Sequence, residues 1–108
     1  MRPLTPEIAR IFHALGDATR RDMVERLTGT ALSVSALAAP YDMTLTAVGQ
    51  HLAILEAAGL VTTQKIGRVR SCQLNPAGFA LLDRWVKTRR SPLETGLDRL
   101  SDLLDGKL

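Results

Sequence analysis

The chain has 108 residues, 45% of them hydrophobic, so it suits one globular domain whose core needs no disulfide. Its 14 Lys and Arg against 11 Asp and Glu give a net charge of +3, compatible with a polyanionic partner. The single cysteine, Cys72, excludes a disulfide framework and a thiolate zinc site within one chain. The sequence lacks a secretory signal and any run near the ~20 apolar residues of a membrane span. We therefore expect a soluble cytoplasmic protein without a membrane partner.

Two amphipathic helices are predicted at the start. Apolar residues at helical spacing follow Pro6 and define a first helix that ends near Gly16: Ile8, Ile11, Phe12 and Leu15. Asp17 can cap a second helix whose apolar residues face inward. The inward residues are Met23, Val24 and Leu27, and the charged residues expected in water are Arg20, Arg21, Asp22, Glu25 and Arg26.

The central part predicts a short helix, a tight link and a longer helix. The short helix covers 32–39 with Ser33 as its cap, and Pro40-Tyr41-Asp42 ends it. The longer helix lies within 43–59, with Thr44 as N-cap and Gly59 as the natural stop. This order is typical of a helix-turn-helix, in which the second helix enters the major groove of DNA.

The longer helix has two different faces. Its core face carries Val48, Leu52 and Leu55, and its opposite face carries Thr46, Gln50, Ala53 and Ala57. The opposite face has no charge and no bulky side chain, which favours close approach to a groove. The alternative is a buried core helix whose outer face contacts no partner. The flanking elements must decide between a DNA-reading helix and a core helix.

A β-hairpin is predicted directly after this helix. LVTTQ and VRSCQL are two runs rich in β-branched residues, separated by Lys65-Ile66-Gly67-Arg68 with its glycine for a tight turn. With Arg70 on the returning strand, long cations concentrate here and can reach DNA phosphates or the minor groove. A solvated hairpin tip that contacts nothing is the alternative. Three helices followed by a basic hairpin favour a winged helix-turn-helix with a DNA-reading helix.

The C-terminal part predicts further helix. Asn75-Pro76 opens it, and Ser91-Pro92 begins either a separate helix or a kinked continuation. A narrow seam follows, made of Leu93, Leu97, Leu100 and Leu104. Such a seam is typical of helix-on-helix contact and predicts a homodimer, although packing against the first helix of the same chain is an alternative.

The predicted fold class is therefore mainly α with a small β-hairpin, a winged helix-turn-helix that dimerises through its terminal helices. One domain covers 1–108: an N-terminal dimerisation helix (1–16), a helical core (17–59), a wing (60–74) and C-terminal dimerisation helices (75–105). The residues assigned to the dimer interface are Ile8, Ile11, Phe12, Leu93, Leu97, Leu100 and Leu104.

Four stretches between Ile11 and Leu74 occur in a specific order: FHALGDATRRDMVERL, LSVSALA, TAVGQHLAILEAAGLV and GRVRSCQL. In that order they resemble the ArsR family of bacterial winged-helix repressors. The resemblance implies a homodimer that binds an inverted-repeat operator in double-stranded DNA and represses until an effector releases it. It also implies dimer contacts from the terminal helices.

The best-known members of that family sense metals, and this chain departs from both of their sites. Ser33-Val34-Ser35 stands where they often have Cys-Val-Cys, and no histidine follows His51 to complete a C-terminal site. Asp83, Glu94 or Asp98 alone would bind soft or borderline metals poorly. We expect no metal sensing through either site and no cofactor, and the effector is left open.

Base reading is assigned first to Gln50, whose amide can pair bidentately with adenine, and then to Thr46 with Ala47 on the same turn. Thr44 should cap the helix and touch phosphate. Gly49 stands where the family commonly has serine, and it permits close backbone approach. The full set assigned to DNA is Thr44, Thr46, Ala47, Gly49, Gln50, His51, Lys65, Arg68 and Arg70.

Three residues with reactive side chains have ordinary interpretations. His51 lies at the edge of the buried face, where it either braces the helix or donates to a phosphate. His13 is expected to be structural or interfacial, and Cys72 a small buried hydrophobe. No nucleophile with a base, paired carboxylates or phosphate loop is found, so we expect no enzyme. A winged-helix module that binds protein instead of DNA is the alternative function.

Overall fold

The computed structural model describes residues 4–106, apart from the side chain of Ser91. In chain order the elements are α1 (Pro6–Leu15), α2 (Ala18–Arg26), β1 (Leu32–Ser33), α3 (Val34–Ala38), α4 (Leu45–Ala57), β2 (Val61–Ile66), β3 (Val69–Leu74) and α5 (Pro76–Leu104). The helix-turn-helix is formed by α3 and α4, and the wing by β2 and β3. The predicted fold class, a mainly helical winged helix-turn-helix, is confirmed.

Polar side chains begin the helices as the sequence predicts. Asp17 accepts from the Arg20 backbone N–H, Ser33 from that of Ala36, and Thr44 from that of Ala47. These bonds satisfy N–H groups that have no partner inside a helix. At the other end of α4, Gly59 has φ +74°, the left-handed conformation that a helix stop requires.

The sheet has three antiparallel strands in the order β1-β3-β2, one more than predicted. The third helix was predicted to start at Leu32, but Leu32 lies in β1 opposite Cys72 and the helix begins at Val34. Ser33 has to be extended to cap α3, and the same extended backbone pairs with β3. The sequence signal for a strand is weak because β1 has only two residues.

The hairpin turn is tighter than predicted. Lys65 and Ile66 belong to β2, so only Gly67 and Arg68 connect the strands. Gly67 has φ +61° and Arg68 has a negative φ, which is the pattern of a type II′ turn. This turn matches the right-handed twist of the strands and extends the ladder to the tip, where Ile66 opposes Val69.

The core lies where the first four helices meet the base of the sheet. Its largest fully buried side chains are Ile11, Met23, Leu27, Leu37, Leu55, Leu60, Val48, Val61 and Cys72. The predicted inward faces of α1, α2 and α4 are therefore confirmed. Ile8 is 3% exposed and Ile11 0%, so their side chains are covered by their own chain and the dimer interface proposed below does not include them.

Helix α5 is a single helix that continues through Pro92. The sequence had left open a separate helix or a continuation at Ser91-Pro92, and the continuation is observed. The first half of α5 packs on the body, where the rings of Phe12 and Trp85 meet edge to face with centroids 4.8 Å apart. Its second half projects from the body, in a molecule of 66 × 29 × 25 Å. Among residues 4–106, no helix is both long and apolar enough to cross a bilayer.

The leucine seam of α5 is exposed. Leu93, Leu97, Leu100 and Leu104 are 64%, 57%, 52% and 78% exposed. The alternative in which this seam packs against α1 of the same chain is therefore wrong, because the projecting half of α5 carries the seam away from α1.

One glycine is required by close packing of the backbone. The Gly78 N–H donates to the Gly59 carbonyl at 2.9 Å, and a Cβ at position 78 would lie 2.4 Å from that oxygen. We expect Gly78→Ala to lower the free energy of unfolding by about 1–3 kcal/mol, because the start of α5 must move off the α4–β2 turn. Urea denaturation measures the change.

The matched control is Gly96→Ala in the same helix, where an added Cβ meets no atom within 4 Å. Alanine lowers the backbone entropy of the unfolded chain, so this variant should be stabilised by roughly 0.5–1 kcal/mol. Equal effects of the two substitutions would contradict the packing role of Gly78.

Candidate nucleic-acid interface

The outer face of α4 is exposed and carries no charge over its first three turns. Thr46, Gln50 and Ala53 are exposed, Ala47 is half-buried, and Val48 on the opposite face is fully buried. Small and amide side chains of this kind can approach base edges without displacing a salt bridge. The structure therefore presents Thr46, Ala47 and Gln50 together, as the sequence predicts.

The N-terminus of α4 is closed by Thr44. Its Oγ1 accepts from the Ala47 N–H at 3.1 Å, and Thr44 itself is exposed. Because a hydroxyl both accepts and donates, the Thr44 proton stays available to a phosphate while the oxygen caps the helix. The positive end of the helix dipole adds to the attraction for an anion.

Gly49 is not required by packing within the chain. A Cβ built there meets no atom of the described residues within 4 Å, and the backbone is ordinary helix. The glycine instead leaves a shallow surface between α4 and the wing, in a groove that Ala53 and Arg70 also line. A glycine within a helix costs about 0.5–1 kcal/mol against alanine, so this surface has a stability cost without a folding benefit.

His51 is held by an arginine that the sequence analysis placed in solvent. Its Nδ1 lies 3.2 Å from Nη1 of Arg20. A guanidinium only donates, so Nδ1 accepts and the neutral imidazole carries its proton on Nε2. His51 is half-buried, as expected for a brace, and its Nε2–H remains as the donor that can meet a phosphate.

Arg20 is buried, 8% exposed, and the prediction that it stays in water is wrong. Besides His51, it donates from Nε to the Ala14 carbonyl at 2.7 Å and from Nη2 to the His13 carbonyl at 3.1 Å. Both carbonyls lie in the last turn of α1, where helical donors run out, and the His13 carbonyl also accepts from the Gly16 backbone N–H at 3.2 Å. Arg20 precedes Met23, Val24 and Leu27 by three, four and seven residues. This helical spacing already placed Arg20 on the apolar face of α2.

The acidic partner in this cluster is Asp17. The backbone N–H of Arg20, which donates to Asp17, lowers the pKa of the Asp17 carboxyl, and the charge of Arg20 acts in the same direction against the opposing effect of burial. Its carboxylate lies 3.9 Å from Nδ1 of His51. Because the pKa is lower in the folded state, the stabilisation is present above the unfolded pKa and is lost as the pH falls through the folded value.

Arg26 is the second misplaced arginine, because it is half-buried and braces the helix-turn-helix from behind. Its Nη1 donates to the Leu37 carbonyl and its Nη2 to the Ala36 carbonyl at 2.9 Å. Its guanidinium also lies 5.3 Å from the ring centre of Tyr41. The Tyr41 hydroxyl donates to Asp22 at 2.5 Å, and burial is the main cause that raises its pKa.

The wing places its cations beside α4. Lys65 and Arg70 are opposite each other in the ladder, so their side chains share one face of the hairpin. Two residues closer to the base of the hairpin, the same face carries the pair of Thr63 and Cys72. Cys72 is fully buried against the core. Within residues 4–106, Lys65, Arg70 and the turn residue Arg68 form no ion pair.

A hydrogen bond fixes the wing to the recognition helix. The Thr63 hydroxyl on β2 donates to Oε1 of Glu56 on α4 at 3.0 Å. The sequence analysis did not identify this pair, because no local pattern connects a helix position with a strand position seven residues later. The bond holds the start of the wing against the C-terminal half of α4.

The family's cysteine site has a different chemistry in this chain. Ser33, at the first of its positions, uses its hydroxyl to cap α3, and Ser35 is exposed. Within the described part of the chain, no three His, Cys, Asp or Glu residues cluster in a way that could hold a metal ion. Burial raises the pKa of the Cys72 thiol, which favours a protonated and unreactive group.

Comparison with known proteins agrees with this geometry. Residues 15–64 match the model of a helix-turn-helix domain family. The HTH-type transcriptional regulator Rv2034 of Mycobacterium tuberculosis is 44% identical over 73 residues, which are 68% of each chain. The uncharacterized HTH-type transcriptional regulator YuzN of Bacillus subtilis is 40% identical over 86 residues, covering 71% of this chain and 92% of YuzN.

A solved structure is similar over most of its length. The crystal structure of an ArsR family transcriptional regulator, RHA00566, superposes with a TM-score of 0.78 at 35% identity. The match covers 87% of this chain and 97% of that one.

The buried Arg20 cluster leads to a stability prediction. In Arg20→Met the Ala14 carbonyl and Nδ1 of His51 lose the Arg20 donor, and the His13 carbonyl keeps only the Gly16 N–H, while the side chain keeps its bulk. We expect the free energy of unfolding to fall by about 1–3 kcal/mol, since buried acceptors without partners are costly. Urea denaturation measures this change, and ¹⁵N NMR of the imidazole of His51 reports the altered tautomer balance.

The neighbouring Arg21→Met is the control. Arg21 also donates to a carbonyl at the end of α1, that of Leu15 at 2.7 Å, but this bond is exposed. Its loss should cost less than about 0.5 kcal/mol, because water replaces the donor. The burial argument fails if both variants lose the same stability.

Proposed function

Since the chain belongs to the ArsR family of helix-turn-helix transcriptional regulators, we propose that it represses transcription as a homodimer on an inverted-repeat operator. That it is a DNA-binding regulator follows from the family. The observation that supports the finer proposal is the uncharged face of α4 beside a wing whose cations form no ion pair with any described residue. A cytoplasmic location is part of the same proposal.

In this proposal α4 reads the bases in the major groove. Gln50 is exposed in the second turn of α4, and its amide can donate to N7 and accept from N6 of one adenine when suitably turned. Thr46 and Ala47 offer methyl groups to thymine from the first turn. Gly49 lets the backbone of α4 come close to the edge of the groove.

Phosphate contacts come from both sides of the reading face. Thr44 and Nε2–H of His51 supply neutral donors next to α4. Lys65, Arg68 and Arg70 supply charge from the wing, which accounts for most of the electrostatic attraction in this arrangement. Phosphate contacts fix the position of the protein on DNA, while the α4 side chains determine which sequence is preferred.

The second half of α5 is the proposed dimer contact. It exposes the leucine seam together with Leu103, which is 61% exposed, and such a stripe has a high cost in water. A second copy of α5 in the antiparallel or parallel sense would cover it by helix-on-helix packing. The two-fold axis of such a dimer would relate two α4 helices, each of which would read one half-site of the operator.

Selection of bound sequences from random duplexes tests the proposal as a whole. We expect a two-fold symmetric motif whose half-sites are about 10 base pairs apart, or a multiple of that spacing. Leu97→Glu should abolish the symmetry and leave a weak half-site, because a carboxylate in the seam opposes dimerisation. Thr95→Glu, on the opposite side of the same helix, is the control and should keep the symmetric motif.

Light scattering on both variants gives the oligomeric state independently. A wild-type protein that is monomeric at micromolar concentration would contradict the dimer. Absence of any salt-sensitive duplex binding would favour a protein-interaction module over the repressor.

Gln50→Ala tests base reading. We expect a loss of about 1–3 kcal/mol of binding free energy on the selected site and little change on random DNA, because only the base contact is removed. Fluorescence anisotropy with both duplexes measures the ratio. Gln73→Ala, an exposed glutamine on β3 away from α4, should change neither affinity. An equal loss on both duplexes for Gln50→Ala would contradict its reading role.

Arg68→Ala tests the wing. We expect weaker binding to all sequences and a salt dependence of the binding constant that is smaller by about one phosphate contact. Arg99→Gln removes the same charge from the projecting part of α5 and should leave the salt dependence unchanged. If Arg68→Ala keeps the wild-type slope, Arg68 contacts no phosphate.

A further inference from the structure

A cavity of about 320 Å³ lies between α1 and the first half of α5, away from the DNA-reading face. Its main lining residues are Leu4, Ile8, Leu81, Arg84, Trp85 and Arg89. Cavities from roughly 300 Å³ upward hold small organic ligands, and they combine an apolar lining with a few polar groups. This cavity has both properties, and none of the roles proposed above uses it.

The charged groups of the cavity are both cations, beside the hydroxyls of Thr5 and Thr88. Arg84 and Arg89 line it, and within residues 4–106 neither forms an ion pair, whereas the nearby Lys87 pairs with Asp83 at 2.8 Å. Arg89 lies over the Trp85 ring with its guanidinium carbon 4.3 Å from the ring centre. The cavity therefore has an excess of positive charge beside an apolar floor of Leu4, Ile8 and Leu81.

One donor of a residue that lines the cavity has no acceptor among the described residues. Nε1 of Trp85 is buried and, in the described part of the chain, makes no hydrogen bond. A buried N–H without an acceptor is unfavourable, and tryptophan N–H groups usually find a partner. The side chain of Arg89 is exposed, lies over the indole and donates from Nη1 to the Trp85 carbonyl at 3.3 Å.

We propose that this cavity binds a small amphipathic carboxylate. The apolar body of such a ligand would cover Leu4, Ile8 and Leu81, and its carboxylate would pair with Arg84 or Arg89 and accept from the Trp85 N–H. A neutral apolar compound would leave both guanidinium groups without an anionic partner. A purely ionic ligand would leave the apolar floor in water.

A short series of contacts links the cavity to α4. The ring of Trp85 packs against the ring of Phe12. The residue after Phe12 is His13, whose carbonyl accepts a hydrogen bond from Arg20. Arg20 also donates to His51 of α4. A carboxylate that moves Trp85 therefore acts on the end of α1 that positions α4. As an effector, this ligand rests on the proposed repressor function, whereas its binding to the cavity can be measured without DNA.

Trp85 is the only tryptophan, so its fluorescence reports on the cavity directly. Titration of the full chain with decanoate should give a saturable change in this fluorescence. Decanol, with the same chain and no charge, should bind about tenfold more weakly or worse, because it cannot form a charged hydrogen bond. Arg84→Gln should lose about tenfold in decanoate affinity, and Arg99→Gln on the same helix should keep it.

Three outcomes would overturn the site. The first is no saturable change with decanoate, and the second is equal affinity for decanoate and decanol, which would indicate nonspecific apolar binding. The third is a Trp85 fluorescence that changes when the dimer dissociates on dilution but does not change with decanoate. This result would assign the cavity to contact with a second copy of the chain.

A second measurement tests the effector role with the duplex selected above. Saturating decanoate should weaken binding of the wild type about tenfold and leave Arg84→Gln unaffected. Decanoate binding without any change in DNA affinity would overturn the effector role and support the site. Failure to bind any operator would overturn the repressor proposal, while the fluorescence titration would still decide the site.

Discussion

The contacts of the buried Arg20 guanidinium are the interaction on which the arrangement of α1, α2 and α4 depends. A cation 8% exposed is costly to bury, and it is retained because its donors meet the carbonyls that end α1 and the ring of His51. One side chain of α2 thus joins α1 and α4. The tautomer of His51, and hence the donor it offers outward, is a consequence of this contact.

The wing is positioned by a second set of contacts, which act at its base. The Thr63 to Glu56 bond, the buried Cys72 and the short strand β1 hold this end of the hairpin to the helices. The type II′ turn then keeps the strands paired to the tip. The cations of the wing are therefore carried on a supported ladder at a fixed distance from α4.

Periodicity and capping residues allowed most of the helices, the hairpin and the reading face to be predicted, because these patterns are local. The strand β1 and the burial of Arg20 and Arg26 depend on partners far along the chain. Arg20 was misplaced because charge was weighed above its spacing, and Arg26 because carbonyls of α3 satisfy it. The DNA contacts and the dimer remain predictions, although Thr46, Ala47 and Gln50 do lie on one face.

The separation of charge from the reading face has a consequence for selectivity. The outer face of α4 is uncharged over its first three turns, and in the proposed mode of binding Lys65, Arg68 and Arg70 of the wing displace most of the counterions of DNA. On the proposed mode of binding, rising ionic strength weakens attachment to every sequence and changes the base contacts little. The preference for operator over bulk DNA is therefore retained as total affinity falls. At higher ionic strength the protein spends less time bound to nonspecific sites.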